Sequence, residues 1–109
     1  MRPLRWRARK GRPEAAEANP EYTAILRLAD ALKDRRIPHE LLRLYDGWQV
    51  CFPSDEERKI SVIEHFCSYG NSEDLLELWD GEAAEGGLTH REALSRIERA
   101  WQAGGGVYG

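Results

Sequence analysis

Between residues 40 and 66, apolar and polar residues alternate in three short runs that are separated by turn-forming residues. The runs are 40–46, 48–52 and 59–66. The first two are joined by Asp46-Gly47, a dipeptide typical of hairpin turns. Pro53 ends the second run, because proline cannot donate a hydrogen bond to a neighbouring strand. A two-residue period predicts strands with one buried face, so this part of the chain is expected to form a three-stranded antiparallel meander.

A helix is predicted before the strands, over residues 20–36. Asn19 is a good N-cap, Pro20 suits the first helical position, and Pro38 ends the segment. The apolar residues of one helical face are Tyr22, Ile25, Leu26, Ala29 and Leu32. A meander exposes an apolar face that must be covered, and this helix is the expected cover.

Two more helices are predicted after the strands. Ser72 is the expected cap of a short helix over 73–79, and a loop follows over 80–87. Thr89 and Glu92 have the spacing of a capping box, which predicts a last helix over about 90–103. The predicted fold class is therefore α+β, with an N-terminal helix packed on a three-stranded antiparallel meander, then a short helix and a C-terminal helix.

Charge is distributed unevenly along the 109 residues, which are enough for one domain. Six of the sixteen Lys and Arg residues lie in the first twelve positions, which contain no Asp or Glu. Residues 14–109 hold ten basic and nineteen acidic residues, a net charge of −9. We therefore expect a basic disordered arm over 1–18, a single α+β domain over 19–103, and a flexible tail over 104–109.

The arm has the composition of a nucleic-acid-binding segment. Arginine forms bidentate contacts with phosphate, and a tryptophan can stack on an unpaired base. The candidate residues are Arg2, Arg5, Trp6, Arg7, Arg9, Lys10 and Arg12. The alternatives are a solubilising tail, or a segment that folds back on the acidic remainder of the chain.

The acidic part of the chain is a candidate protein-binding surface. Residues 40–85 contain twelve acidic residues and three basic ones, and such a surface can complement the basic groove of a partner. The residues chosen as its core are Asp55, Glu56, Glu57, Glu73, Asp74 and Glu77, with Tyr69 as an aromatic contact. The simpler interpretation is a solvated face that aids solubility.

Two cysteines and three histidines give weak signals for chemistry. Two buried free thiols are the expectation for Cys51 and Cys67. Together with His39 and His65 they could be imagined as a zinc site or as a thiol-dependent enzyme, but the spacing lacks Cys-x-x-Cys and the His pair of zinc motifs. We expect no catalytic residue, no metal and no cofactor.

Three short motifs resemble a known kind of protein. They are Gly-Trp-Gln within 46–53, Ile-Glu-His and Ser-Tyr-Gly within 61–70, and Leu-Leu-Glu within 74–77. With the Leu-Thr-led helix from Leu88, they resemble a family of small uncharacterised proteins from prophages and mobile elements of gut-type bacteria, over about residues 22–101. The resemblance implies a phage-associated context, in which small acidic accessory proteins and inhibitors are common, and it brings no catalytic residues.

The sequence thus predicts a non-catalytic, phage-type accessory protein that binds a macromolecular partner through an acidic surface. A host nuclease or a CRISPR effector is a candidate target for inhibition. The alternatives are a nucleic-acid-binding accessory protein that uses the arm, and a small metal- or thiol-dependent enzyme. No apolar run approaches the length of a membrane helix, so we expect a cytoplasmic protein with no membrane partner.

Overall fold

The computed structural model describes residues 17–105 of the chain. These residues form one five-stranded antiparallel sheet with the strand order β1-β2-β3-β4-β5 and two helices. A short 3-10 turn at Asn71–Glu73 precedes the fourth strand. The elements are α1 (Ala24–Asp34), β1 (Glu40–Leu44), β2 (Gly47–Phe52), β3 (Ile60–Glu64), β4 (Leu76–Trp79), β5 (Ala84–Leu88) and α2 (His90–Ala103).

The prediction of a three-stranded meander followed by a short helix was wrong. The segment predicted as a helix over 73–79 contains β4, and the predicted loop over 80–87 contains most of β5. Leu76 and Leu78 are fully buried whereas Trp79 is exposed, so alternate residues of this apolar run face opposite sides of a sheet. Val62 of β3 pairs with Leu78, which places the run in the sheet as a neighbour of β3.

Two glycines within β5 prevent this strand from being predicted from the sequence. The register between β4 and β5 shifts between Leu76 and Leu78, where Gly86 and Gly87 lie on the opposite strand. Gly87 has φ +75°, a conformation that favours glycine and accommodates an extra residue in a bulge. Because glycine is depleted in strands, the pair Gly86-Gly87 is typical of a loop, and the sequence therefore predicted a loop here.

The first helix begins four residues later than predicted. Its N-cap is Thr23, and Asn19 instead uses its Oδ1 to accept the backbone N–H of Glu21 at 2.9 Å in a preceding turn. The start of α1 is held by Asp74, from the connection before β4, which accepts the backbone N–H of Ala24 at 2.9 Å. A cap fifty residues away in the chain leaves no local sequence signal.

The last helix confirms its prediction. It spans His90–Ala103, and the capping box of Thr89 and Glu92 is complete in both directions. Both helices lie on the same face of the sheet, with α1 against β2 and β3 and α2 against β4 and β5. Within residues 17–105, no helix is long and apolar enough to cross a membrane.

The core fills the space between the helices and the sheet. Trp48 and Trp101 are partly buried and pack against it. Its largest fully buried apolar side chains, with less than 2% exposure, are Ile25, Leu28, Leu32, Ile37, Val50, Phe52, Val62, Leu76, Leu78 and Ile97. The opposite face of the sheet has no helix on it in the described part of the chain; we call it the helix-free face.

The first hairpin turns one residue earlier than predicted. Leu44 pairs with Gly47, so the two central residues are Tyr45 and Asp46, and Gly47 belongs to β2. Gly47 is needed for close approach rather than for the turn, because a Cβ there would lie 1.8 Å from the backbone oxygen of Glu64. Tyr45 adopts φ +55°, a left-handed conformation that is uncommon for a non-glycine residue.

Candidate partner-binding surface

Two turns place carboxylates at one end of the sheet. The β2–β3 turn carries Asp55, Glu56 and Glu57, and the β4–β5 turn carries Asp80 and Glu82. The pairing of Ser61 with Trp79 puts the two turns at the same end, about 10 Å apart by the usual spacing of strands. We call these five residues, with Glu40 at the start of β1, the acidic end.

Ion pairs neutralise part of the acidic end. Arg58 binds Asp55, and Arg96 of α2 lies 3.8 Å from Asp80. Glu56, Glu57 and Glu82 are exposed, and no cation among residues 17–105 forms an ion pair with any of them. With Lys59 of the same turn counted beside Arg58 and Arg96, the six carboxylates of the acidic end still outnumber the cations, so this end of the sheet attracts a cation.

Three side chains extend this surface along the helix-free face. Trp79 is 42% exposed at the acidic end, and Glu77 lies two residues back on the same face of β4. The backbone N–H of Tyr69 donates to Glu77 Oε1 at 2.8 Å. The Tyr69 ring lies on the helix-free side of Gly86 and is 72% exposed. Tyr69 and Glu77 therefore stand beside Trp79, as members of a single surface.

The structure separates the other two residues of the predicted acidic surface from this one. Glu73 is exposed in the connection between β3 and β4, at the opposite end of the sheet from Asp55. Asp74 is half-buried, and its two carboxylate oxygens accept the backbone N–H groups of Thr23 and Ala24 and the hydroxyl of Thr23. Asp74 is thus committed to holding α1 and is a poor candidate for a contact with a partner.

A buried carboxyl group at the end of β3, which the sequence analysis did not choose as a site residue, lies near Asp74. Glu64 is 0% exposed and accepts the backbone N–H of Ile25 at 3.2 Å. Burial, and then the hydrogen bond with Asp74, raise the pKa of Glu64 to about 8. Burial alone would raise the pKa of Asp74, but its hydrogen bonds with Glu64, Thr23 and Ala24 lower it below the ordinary value.

A cavity of about 420 Å³ opens beside Asp74, between the starts of the two helices. Arg27, His90 and Arg91 also line it. Partial burial, and then the charges of Arg27 and Arg91, lower the pKa of His90. The basic residues of this cavity were not singled out from the sequence, because they come from two helices separated by more than fifty residues.

An aromatic cluster occupies the end of the sheet opposite the acidic end. Tyr45 makes edge-on contacts with His65 and Phe66, at ring-centroid distances of 5.1 and 5.6 Å. Asp46 supports the cluster by accepting the backbone N–H of Phe66 at 2.9 Å. Tyr45 and Phe66 are 47% and 59% exposed, so this end presents a fixed apolar surface that the alternation pattern did not reveal.

The cysteines and histidines do not converge. Cys51 pairs with Ser61 on β3, four residues before His65, which corresponds to roughly 13 Å along a strand. Burial raises the pKa of the Cys51 thiol to about 11, so it is inert near neutral pH. Cys67 is exposed, which corrects the expectation of two buried thiols. Among residues 17–105, no group of three His, Cys, Asp or Glu side chains is placed to hold a metal ion.

His65 is not set up as a base for Cys67. Its Nδ1 accepts the backbone N–H of Cys67 at 3.0 Å, which assigns the proton to Nε2. Burial lowers the pKa of His65. The candidate nucleic-acid residues of the arm, from Arg2 to Arg12, lie outside the described residues.

Comparison with known proteins gives no relative. No family model matches the chain, and neither the curated proteins nor the solved structures contain a significant match. The resemblance to prophage proteins therefore stays a prediction, and functional inference depends on the surface itself.

Proposed function

We propose that this protein is a non-catalytic binding protein that engages a basic macromolecular partner with its acidic end and the adjoining helix-free face. The observation that carries the proposal is the position of Glu56, Glu57 and Glu82, three exposed carboxylates without cationic partners in the described chain, beside the exposed ring of Trp79. This arrangement combines charge complementarity with an aromatic anchor.

The two components act differently on binding. Unpaired carboxylates steer a basic surface toward the protein and increase the association rate, more strongly at low salt. Trp79 and Tyr69 provide apolar area, and an indole face also attracts an arginine or lysine side chain. The β-sheet beneath them is hydrogen-bonded on both sides of β4, so the surface is rigid before the partner arrives.

The partner class that this surface favours is a protein with a basic nucleic-acid groove. The resemblance to prophage proteins implies the same context, so we propose a host nuclease or a CRISPR effector as the target and inhibition as the outcome. We also propose that the protein acts in the cytoplasm, where Cys51 and Cys67 stay reduced.

A pair of matched charge reversals tests the proposal. E56K/E57K changes the acidic end, and D30K/D34K makes the same change in charge on the exposed side of α1. In pull-downs from host lysate and in subsequent affinity measurements, we expect E56K/E57K and W79A each to weaken capture of a basic protein at least tenfold. D30K/D34K should bind like the wild type. Equal binding by all three variants would reject the acidic surface.

A second candidate function follows from the charge of the arm. Six basic residues within the first twelve suit contact with phosphates. Deleting residues 1–12 should then weaken binding to single-stranded DNA or RNA and flatten its dependence on salt. If the deletion leaves nucleic-acid binding unchanged while E56K/E57K abolishes protein capture, the acidic surface alone carries the function.

A further inference from the structure

Two carboxyl groups hold the start of α1 on the sheet. Glu64 Oε1, at the end of β3, accepts the backbone N–H of Ile25 at 3.2 Å. Asp74 Oδ1 accepts the backbone N–H groups of Thr23 and Ala24 at 2.8 and 2.9 Å. Three consecutive amides at the beginning of the helix therefore find their acceptors outside it, in β3 and in the connection before β4.

The two carboxyl groups accept from consecutive amides of the same turn, so they lie side by side, and a single proton can serve both. Glu64 is completely buried, and no donor of the described chain reaches its Oε2. A hydrogen bond between these neighbouring carboxyl groups requires a proton on one of them, and such a bond would satisfy Oε2. Asp74 already accepts three hydrogen bonds, which stabilise its ionised form, so the proton belongs to Glu64.

We propose that Glu64 and Asp74 form a proton-dependent latch: while the proton is shared, α1 and the connection before β4 stay docked on the sheet, and its loss releases Asp74. Two ionised carboxylates in contact in a buried position repel each other strongly. Glu64 cannot withdraw, because its strand is paired on both sides and Gly47 packs directly against its backbone. Asp74 can move, because it is half-buried and lies in a connection.

Once released, the carboxylate of Asp74 has an open space to move into. Asp74 lines the cavity between the starts of the two helices, and Arg27 and Arg91 line the same cavity. Movement of Asp74 into this space would take its carboxylate away from the ionised Glu64, which repels it, and toward Arg27 and Arg91, which attract it. It would also uncap Thr23 and Ala24, so the first turn of α1 should loosen at the same time.

The other groups near Glu64 and Asp74 whose pKa values are shifted titrate outside the range from pH 7 to 9. Tyr22 donates its hydroxyl to Asp46 at 3.2 Å, and burial raises its pKa above the ordinary 10.0. His65 comes directly after β3 and His90 begins α2, and burial lowers the pKa of both imidazoles below 6.5. A transition between pH 7 and 9 at the start of α1 therefore reports on Glu64.

Nuclear magnetic resonance on the full chain tests the latch. The carboxyl carbon of Glu64 and the amides of Thr23 and Ala24 should be followed from pH 6 to 10 in the wild type, E64Q, D74N and the exposed control D30N. We expect the Glu64 signal and both amides of the wild type to shift together with a midpoint near pH 8. Protection of the two amides from hydrogen exchange, corrected for intrinsic rate, should fall at least tenfold by pH 9.5.

The variants separate the latch from a general effect of alkali. E64Q keeps the shape and stays neutral, so its amides should remain protected up to pH 9.5; D74N removes one of the two charges and should behave likewise. D30N should follow the wild type. The proposal is wrong if Glu64 titrates while Thr23 and Ala24 do not change, if Glu64 loses its proton below pH 6, or if E64Q and D74N both show the wild-type transition.

Discussion

The ring of Tyr69 lies so close to Gly86 that a Cβ at this glycine would come within 2.0 Å of the ring Cδ2. Only a residue without a side chain at position 86 lets Tyr69 rest on the helix-free face beside Glu77. The exposed aromatic group of the candidate surface is thus positioned by a glycine on a different strand.

This contact predicts a specific coupling between the two residues. G86A should lower the free energy of unfolding by about 1–3 kcal/mol, because the added methyl group overlaps the ring. In the double variant Y69A/G86A the overlap disappears, so most of this loss should be recovered. Urea denaturation of the wild type, both single variants and the double variant measures the coupling; strictly additive losses would show that the ring does not lie on Gly86.

The cap of α1 gives a second prediction. D74A removes the acceptor of two backbone amides and should cost about 2 kcal/mol in the free energy of unfolding, the upper range for a lost cap. N19A removes only one hydrogen bond in an exposed turn and should cost less than about 0.5 kcal/mol. Thermal or urea unfolding compares the two variants. If N19A lowers the free energy of unfolding as much as D74A or more, Asn19 rather than Asp74 is the main cap of α1.

Glu64 makes stability depend on pH in a direction opposite to that of an ordinary carboxylate. Its pKa rises from 4.5 to about 8 on folding, so the folded state holds a proton that the unfolded state releases between these values. The free energy of unfolding should therefore decrease as the pH rises through this window, by up to about 1.4 kcal/mol per pH unit. E64Q should remove this slope, which denaturation at pH 5, 7 and 9 would detect.

The two thiols should differ sharply in reactivity. Cys67 is exposed, whereas Cys51 is buried with its pKa raised to about 11. A thiol reagent at pH 7.5 should therefore label one cysteine quickly in the native protein and both in guanidinium chloride. C67S should abolish the fast reaction; rapid labelling of native C67S would place Cys51 at the surface.

Local patterns identified the elements whose determinants lie within a few residues. The alternation between 40 and 66 predicted β1, β2 and β3, and the Thr89–Glu92 capping box located α2. The run from Leu75 to Trp79 is apolar on both sides, so its periodicity fits a helix as well as a strand, and only its pairing with β3 decides between them.

Features that join distant segments could not be predicted in this way. Asp74 was interpreted as a surface carboxylate, since nothing in its neighbourhood shows that Thr23 and Ala24 need its oxygens. The acidic end was predicted in part: Asp55, Glu56 and Glu57 were singled out, but Asp80 and Glu82 join them only because β4 and β5 are strands. Composition thus indicated a charged surface, and topology determined which residues share it.

The sequential strand order also has a consequence for how the chain folds. Each strand pairs with the strand next to it in the sequence, so the sheet can assemble from short hairpins with little loss of entropy on loop closure. By contrast, α1 and α2 contact each other from the two ends of the described chain. We therefore expect the sheet to form early and rapidly, and the docking of α1 against α2 to be the late step that makes folding cooperative.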